Sequence, residues 1–295
     1  MKETHTVEKK DSGVFLNVLA PRVFRWVASK AKARKAMSAG ELLVNGQQVP
    51  ADVRVSVGDV ISYTTRKGGA VKSAHRKVFK QEIPVVYEDE YLAVLNKPGG
   101  LPVNGNHFKT LENTLPFNLK PSAQPDALGV MRPLHRLDGP TCGLVMVAKT
   151  ERTQVEMGLQ FENKKIRKRY QAVVIGAVAD SKGTIRDVVD DKPSQSDYEV
   201  VYVKKSVKYG QLSLVKLYPV TGRTHQLRIH MSNLGHPIVG DKFYSGEVEV
   251  LQGKGLMLCS DRLEFDHPIT GEHLELEINL PNKFTSYMDR EARRN

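Results

Sequence analysis

Strand-length apolar runs separated by short polar breaks dominate the chain after residue 83. The run "GLVMVAKT", residues 143–150, is nearly continuous in apolar character, which predicts a strand buried on both faces. The segment "IPVVYEDEYLAVLNKPGG" predicts two strands around an acidic turn, the second broken at Lys97-Pro98-Gly99-Gly100. Residues 101–134 carry loop-like signals. This strand-rich pattern favours an α+β fold.

Two segments of the same region show helical patterns. Thr150 is a candidate N-cap for a helix over residues 151–163, and Thr224 for a helix that ends at Gly235. The second helix has an apolar stripe of Leu227, Met231 and Leu234 and a separate face of His225, Arg228 and Ser232.

Between the two helices, the segment "KKIRKRYQAVVIGAV" begins basic and becomes a strand. The two-residue period of a strand places Tyr170, Ala172 and Val174 on one face. On this pattern alone Tyr170 is either a site residue or an ordinary core tyrosine.

The N-terminal quarter predicts a helix, a hairpin and a strand. Residues 29–40, "SKAKARKAMSAG", predict a basic helix with Ser29 as N-cap and Gly40 as its stop. Asn45-Gly46 between short apolar runs is a hairpin signal, and "VSVGDVISY" predicts a strand around a Gly58-Asp59 turn.

This quarter resembles the small alpha-L RNA-binding motif of a ribosomal small-subunit protein. The matching residues are Ala39-Gly40, Val44-Asn45-Gly46, Val49 and Gly58-Asp59-Val60-Ile61. We interpret Phe24 and Trp26 as core residues of this unit, with base stacking as the alternative. The predicted organisation is a small α/β RNA-binding domain at 14–63, a basic linker at 64–82 and a larger domain at 83–290.

Positive charge is concentrated in the same quarter. The formal net charge is +11, and residues 1–80 hold 16 Lys and Arg against 6 Asp and Glu, whereas the remainder holds 28 against 27. This asymmetry favours a segment that binds a polyanion, with a merely solvated surface as the alternative.

Composition narrows the classes of protein further. Two cysteines, Cys142 and Cys259, without CxxC spacing indicate neither a disulfide framework nor a zinc site. No apolar run reaches the length of a membrane span, and "MKETHTVEKKDSG" lacks the apolar region of a signal peptide. We therefore expect a cytoplasmic protein with no membrane partner.

The stretch "MRPLHRLDGPTCGLVMVAKT", residues 131–150, places a carboxylate where chemistry is favoured. Asp138 lies in a turn at the entrance to the predicted buried strand, so a rigid element would hold it while the loop exposes it. The alternative is an Asx-type turn residue. His225, His230 and His236 lack metal-binding spacing, so we interpret them as hydrogen-bonded structural histidines.

Four groups of residues, from three segments of the chain, together resemble the RluA-type pseudouridine synthases over about residues 83–281. The resemblance rests on His135-Arg136-Leu137-Asp138 with Thr141 and Gly143-Leu144, on Arg169-Tyr170 with Ala172, on Thr221-Gly222-Arg223-Thr224-His225-Gln226-Leu227-Arg228 with His230, and on His236-Pro237-Ile238-Val239-Gly240-Asp241 with Tyr244. It implies an α+β catalytic domain on a mixed, mostly antiparallel sheet with a cleft across it.

The resemblance also implies roles in converting uridine to pseudouridine without a metal or cofactor. Asp138 would supply the reacting oxygen group, and Arg228 would pair with it, since a nearby guanidinium favours an ionised carboxylate. Tyr170 would lie against the uracil and is a candidate for proton removal. The candidate RNA contacts are the motif residues Arg136, His135, Arg223 and His225 and the basic-helix residues Lys30, Lys32, Arg34 and Lys35.

The predicted substrate is large-subunit ribosomal RNA, and the default assembly is a monomer. Transfer RNA remains an alternative target, and a non-catalytic RNA-binding or ribosome-assembly protein is the alternative class. A glycoside hydrolase is disfavoured because it needs two carboxylates flanking one bond. An enzyme requires Asp138, Tyr170 and Arg228 to converge on one cleft.

Overall fold

The computed structural model describes residues 2–24, 26–27, 30–64, 78–246, 253 and 255–293. Its strands are β1 Lys2–Thr6, β2 Leu42–Val44, β3 Val60–Thr64, β4 Val85–Glu88, β5 Leu92–Lys97, β6 Ala127–Pro133, β7 Cys142–Thr150, β8 Arg167–Ile175, β9 Lys182–Ile185, β10 Val188–Val189, β11 Lys192–Pro193, β12 Ser196–Ser206, β13 Gly210–Pro219, β14 Leu258–Asp266 and β15 His273–Glu277. Its α-helices are α1 Leu16–Val23, α2 Lys30–Ser38, α3 Leu111–Asn118, α4 Glu151–Glu162, α5 Gln226–Asn233 and α6 Asn282–Arg293.

The N-terminal elements form a unit with its own sheet and core. The sheet order is β1-β3-β2, and both pairings are antiparallel. Helix α2 turns Ala33, Ala36 and Met37 inward against buried side chains such as Leu16 and Phe24. The predicted basic helix and its stop at Gly40, which has φ +67°, are confirmed. The predicted cap Ser29 lies outside the described residues.

Two features of this unit go beyond what the sequence pattern predicted. Asn45 and Gly46 do form a turn with positive φ, closed by two hydrogen bonds between Val44 and Gln47. The pairing across this turn is a single antiparallel bridge between Val44 and Gln47, and the strand that pairs along β2 is β3. The predicted start at residue 14 also omits β1, which pairs along all of β3 and is followed by buried Val7. The polar sequence "KETHT" concealed β1 because it is an edge strand with no fully buried side chain.

The predicted linker 64–82 falls largely outside the described residues. Thr64 is the last residue of β3, and residues 78–82 belong with the large unit. The Phe79 N–H donates to the Asn113 carbonyl, and the Phe79 ring packs against the large core.

The large sheet has ten strands and confirms the predicted α+β class. Its order is β4-β5-β7-β14-β8-β13-β12-β9, with β6 beside β7 and β15 beside β14. Among the described strands, the pairing of β7 with β14 is parallel and the other pairings in this sheet are antiparallel. All nine residues of β7 are buried, as its apolar run predicted.

The loop-like interpretation of residues 101–134 is wrong, because this stretch contains α3 and β6. Helix α3 has only eight residues and an internal Pro116, so it lacks a long periodic signal. Its cap is Thr110, whose side chain accepts a hydrogen bond from the Asn113 N–H. Strand β6 includes a glycine and a proline, which weaken its pattern.

The predicted N-cap is confirmed for helix α4 and wrong for helix α5. Thr150 caps α4 by accepting from the Thr153 N–H, as expected. Thr224 does not cap helix α5. The N-cap residue is His225, which has the left-handed conformation with φ 57° and makes no side-chain capping hydrogen bond. Leu227 and Met231 are buried as predicted, but Leu234 is 37% exposed and lies outside the apolar stripe.

In the part of the chain that the structure describes, no helix combines the length and the apolar character needed to cross a bilayer.

Gly143 lets β7 and β14 approach each other closely. Its φ is +115°, and a Cβ atom there would overlap the backbone of Ser260. The Cα partner of Gly143 in β14 is Ser260, and Ser260 is in turn the Cα partner of Tyr170 in β8. The loop that carries Asp138 and the strand that carries Tyr170 are therefore separated by one strand.

We expect Gly143→Ala to lower the free energy of unfolding by about 3 kcal/mol or more, because strain and overlap with backbone add together. Gly158→Ala is the control, since Gly158 lies within α4 and a Cβ there meets no atom within 4 Å. It should raise stability by about 0.8–1 kcal/mol. Urea unfolding of both variants measures the contrast, and equal effects would contradict it.

Candidate active site

A cleft of about 770 Å³ opens between the β6–β7 loop, the start of β8 and the segment that joins β13 to α5. Asp138, Tyr170 and Arg228 all line it, although they are far apart in sequence. The structure thus brings the three predicted catalytic residues together, which is the arrangement that an enzyme requires.

Asp138 is presented by a loop whose backbone is held at several points. Its carbonyl accepts from the Thr141 N–H at 3.0 Å, which closes the turn. The next carbonyl, of Gly139, accepts from the Gly100 N–H at 2.8 Å and from Lys97 Nζ at 3.2 Å. These bonds tie the loop to the β5 end, so the partly exposed carboxylate projects from a fixed backbone.

Lys97 provides the central anchor of this loop, a role that sequence reasoning missed. The side chain is fully buried, and Nζ also donates to the carbonyls of Leu101 at 2.7 Å and Pro98 at 3.0 Å. Burial lowers the pKa of Lys97 to about 8. The lysine at the end of an apolar strand, directly before Pro98-Gly99, was the available signal.

Arg228 links Asp138 to a second carboxylate. Its Nε and Nη2 donate to the two oxygens of Asp241 at 2.7 and 2.8 Å, a bidentate pair. Its remaining Nη1 donates to Asp138 Oδ2 at 3.3 Å. Burial acts to lower the pKa of Arg228, but the bonds to Asp241 and the charge of Asp138 raise it overall.

Asp241 holds Arg228 in place, a role that sequence reasoning did not assign to it. It is fully buried, and it also accepts from the backbone N–H groups of Phe243 and Tyr244. Burial would raise its pKa, but these hydrogen bonds, led by that of Arg228, lower it. A buried arginine needs a counter-charge, and an acid in a Gly-Asp turn thirteen residues later was the signal.

Tyr170 forms part of the wall of the cleft. It lies on β8 and is 9% exposed, with Ala172 and Val174 in the same core, as predicted. Burial raises the pKa of Tyr170 to about 12, and the negative charge of Asp138 adds to the effect. The phenol is therefore protonated at neutral pH.

His225, a predicted RNA contact, lies beside the carboxylate. Its Nε2 is 3.8 Å from Asp138 Oδ1, and its Nδ1 is hydrogen-bonded to the Tyr244 hydroxyl at 2.9 Å. The imidazole stacks on Phe243, with ring centroids 6.2 Å apart. The backbone at His225 is left-handed, with φ 57°.

The other predicted RNA contacts of the large unit line the cleft in different environments. Arg136 is exposed, whereas Arg223 is half-buried and donates to the Pro193 carbonyl at 3.4 Å. His135 accepts the Met146 N–H on Nε2, and burial lowers the pKa of His135 to about 3. That imidazole is neutral, so any contact it makes with RNA is not ionic.

The predicted RNA contacts of the small unit share one helix. Lys30, Arg34 and Lys35 are exposed along α2, and Lys32 is half-buried. This face is positive because the apolar residues of α2 face the core.

The three motif histidines have the hydrogen-bond partners that we expected of structural residues. His230 contacts Ser194 Oγ at 2.7 Å, and His236 contacts the Ile175 carbonyl at 2.9 Å. Within the described residues, no group of three or more His, Cys, Asp or Glu side chains lies together as a metal site would need.

Comparison with known proteins identifies the family. The family described as RNA pseudouridylate synthase matches residues 91–233. The dual-specificity RNA pseudouridine synthase RluA of Haemophilus influenzae is 35% identical over 202 residues, covering 64% of this chain and 90% of that protein. The uncharacterized RNA pseudouridine synthase YlyB of Bacillus subtilis is 32% identical over 275 residues, covering 88% and 89%.

The chain belongs to the RNA pseudouridine synthases. It is therefore an isomerase that converts uridine in RNA to pseudouridine, as the sequence predicted.

Solved structures agree with this assignment. Human RNA pseudouridylate synthase domain containing 1 superposes with a TM-score of 0.55 at 27% identity, covering 68% of this chain and 84% of that one. Human RNA pseudouridylate synthase domain containing 4 shares the fold, with a TM-score of 0.56 at 24% identity and coverage of 70% and 92%.

We expect Asp241→Asn to lower kcat by about 100-fold, because Arg228 then loses the anchor that orients it toward Asp138. Removing one partner of this buried pair should also cost about 3–5 kcal/mol of stability. Single-turnover kinetics at a temperature where the variant remains folded measures the first effect. Asp266→Asn, an exposed carboxylate paired with His273, is the control and should change neither quantity. An unchanged kcat in Asp241→Asn would refute the anchoring role.

Proposed function

We propose that this pseudouridine synthase modifies large-subunit ribosomal RNA, as a monomer in the cytoplasm. The ribosomal large subunit pseudouridine synthase D of Vibrio cholerae is 29% identical over 306 residues, covering 95% of this chain and 91% of that protein. The match therefore includes the basic N-terminal unit. Both cysteines, Cys142 and Cys259, are buried and free, which suits a reducing compartment.

The observation that carries the catalytic assignment is the convergence of Asp138, Tyr170 and Arg228 in one cleft. The reaction breaks the bond between uracil N1 and ribose C1′ and forms one from C5 to C1′. The C5 proton leaves and N1 gains a proton, so nothing is consumed. In this proposal Asp138 is the oxygen group that acts on the nucleotide.

Arg228 keeps Asp138 ready for that step. A single hydrogen bond at 3.3 Å orients Asp138 Oδ2 and leaves Oδ1 directed elsewhere in the cleft. The guanidinium is itself immobilised by Asp241, so the carboxylate is positioned without having to order its partner during the reaction.

Tyr170 contacts the uracil and takes part in the final loss of the C5 proton. A phenol with a pKa of about 12 is a poor general base by itself, because it must lose its own proton first. We assign it a relay: its oxygen receives the C5 proton as it passes its own proton to solvent in the cleft.

Basic side chains bring the RNA to this cleft. The α2 lysines and Arg34 bind phosphates at a distance from the site, which makes the affinity fall with salt. The target uridine must leave its stack to reach Asp138, at a cost of a few kcal/mol. Arg136, exposed beside the cleft, occupies or contacts the space that the nucleotide vacates.

We expect Asp138→Asn to reduce pseudouridine formation by about 10³-fold or more while the protein stays folded. Cells lacking the gene are complemented with the native chain, Asp138→Asn or Asp190→Asn, and all RNA is mapped for pseudouridine. Asp190 is an exposed residue at φ 53°, a conformation that asparagine adopts equally well.

The proposal is supported if the cells that lack the gene lose a pseudouridine in large-subunit ribosomal RNA. The native chain and Asp190→Asn should restore this pseudouridine, and Asp138→Asn should not. Loss of a transfer RNA site instead would overturn the substrate. Restoration by Asp138→Asn would overturn the role of the carboxylate.

We expect Tyr170→Phe to slow the reaction by about 10²-fold or more and to make C5 proton removal rate-limiting. RNA labelled with deuterium at uracil C5 should then show a primary isotope effect larger than that of the native enzyme. Tyr198→Phe, a buried tyrosine of the same core, is the control.

The native rate should show no ionisation of Tyr170 between pH 6 and 9, because the phenol with a pKa of about 12 remains protonated throughout that range. A step in the native profile that Tyr170→Phe abolishes would contradict this assignment.

A further inference from the structure

Lys168 is a half-buried cation of the cleft that the mechanism leaves unused. It lies on β8 two residues before Tyr170, so both side chains point from the same face of the strand, about 7 Å apart along it. Both line the cleft with Asp138. The intervening Arg169 points to the opposite face, where it pairs with Asp261 and Glu277.

Lys168 differs from the buried lysines of the chain in having no counter-group. Lys97 donates to three carbonyls, and Lys149 pairs with Glu88 and the Asp89 carbonyl. No described residue forms a hydrogen bond or ion pair with Lys168, and burial lowers its pKa. An ammonium withdrawn from water without a partner is costly, unless a ligand supplies the negative charge.

The position of the ammonium indicates which part of an RNA substrate it meets. Lys168 Nζ lies 4.0 Å from where a Cβ of Gly222 would be, so it reaches toward the segment that carries Arg223. Its charge also acts on His135, which lines the same cleft. Lys168 therefore lies among the predicted RNA contacts and is more exposed than Tyr170.

We propose that the Lys168 ammonium binds a backbone phosphate beside the target uridine. A base that lies against Tyr170 has its phosphate beyond the ribose, several Å from the ring, and Lys168 lies about 7 Å from Tyr170 along β8. A lysine suits this role as a compact point charge, and exposed Arg136 on the same cleft adds positive potential. This inference rests on the proposed function only in taking RNA as the substrate.

The test compares Lys168→Met with the native chain in binding two fluorescent 12-nucleotide probes, oligouridylate and an abasic RNA of the same length. The two probes share phosphates, but only the first has uracil. Lys168→Met should weaken both by about tenfold and reduce the slope of log affinity against log salt by about 0.7, the value for one phosphate on a single strand. Lys168→Arg should retain the native slope.

Lys205→Met is the matched control, because Lys205 is an exposed lysine on β12 that does not line the cleft. Removing an unpaired cation should not lower the melting temperature. If Lys168→Met nevertheless does not fold, Lys168→Gln is measured in its place.

An unchanged slope in the Lys168 variant, or one matched by Lys205→Met, would overturn the phosphate site. A loss confined to oligouridylate would overturn it in favour of a contact with uracil. Binding is measured without turnover, so the two proposals can fail separately. A native chain that makes no pseudouridine would refute the proposed function, whereas the phosphate site would still be judged by the slope of log affinity against log salt.

Discussion

The close approach of β7 and β14 at Gly143 is the constraint on which the active site depends. These strands pair in parallel only at Cys142–Cys259 and Gly143–Ser260, at the mouth of β7 just after the Asp138 loop. Ser260 in turn aligns with Tyr170. Because Gly143 has no side chain, the Asp138 loop and the strand that carries Tyr170 lie on either side of β14 alone. The ten-stranded sheet keeps that spacing rigid.

Within this frame, Arg228 divides its hydrogen bonds between two carboxylates with unlike surroundings. Asp241 is fully buried and takes two of them, whereas Asp138 is partly exposed and takes one. The buried acid balances the cost of withdrawing a guanidinium from water. The partly exposed acid faces the cleft, so the same cation is stabilised by one carboxylate and orients the other.

Sequence reasoning succeeded where a pattern was local and strong. The nine buried residues of β7, the Thr150 cap of α4 and the motif that ends at Asp138 each gave a direct signal. It failed where the deciding contact was tertiary. The polar β1 is a strand because β3 offers it an edge. Helix α5 begins without a side-chain cap, and the segment before it is instead held by Gln226, whose Oε1 accepts from the Thr221 hydroxyl and the Arg223 N–H. The burial of Lys97 and Asp241 likewise follows from packing that no local pattern encodes.

The order in which these parts are synthesised has a consequence for the life of the chain. The basic N-terminal sheet is complete at Thr64, whereas Asp138 awaits an arginine 90 residues later and β7 awaits a partner carbonyl 116 residues beyond Cys142. Translation proceeds at about 5–20 residues per second, and domains fold as they emerge. A nascent chain therefore displays its cationic helix seconds before the pairing of Asp138 with Arg228 can form, so its concentrated positive charge is exposed before the cleft is complete.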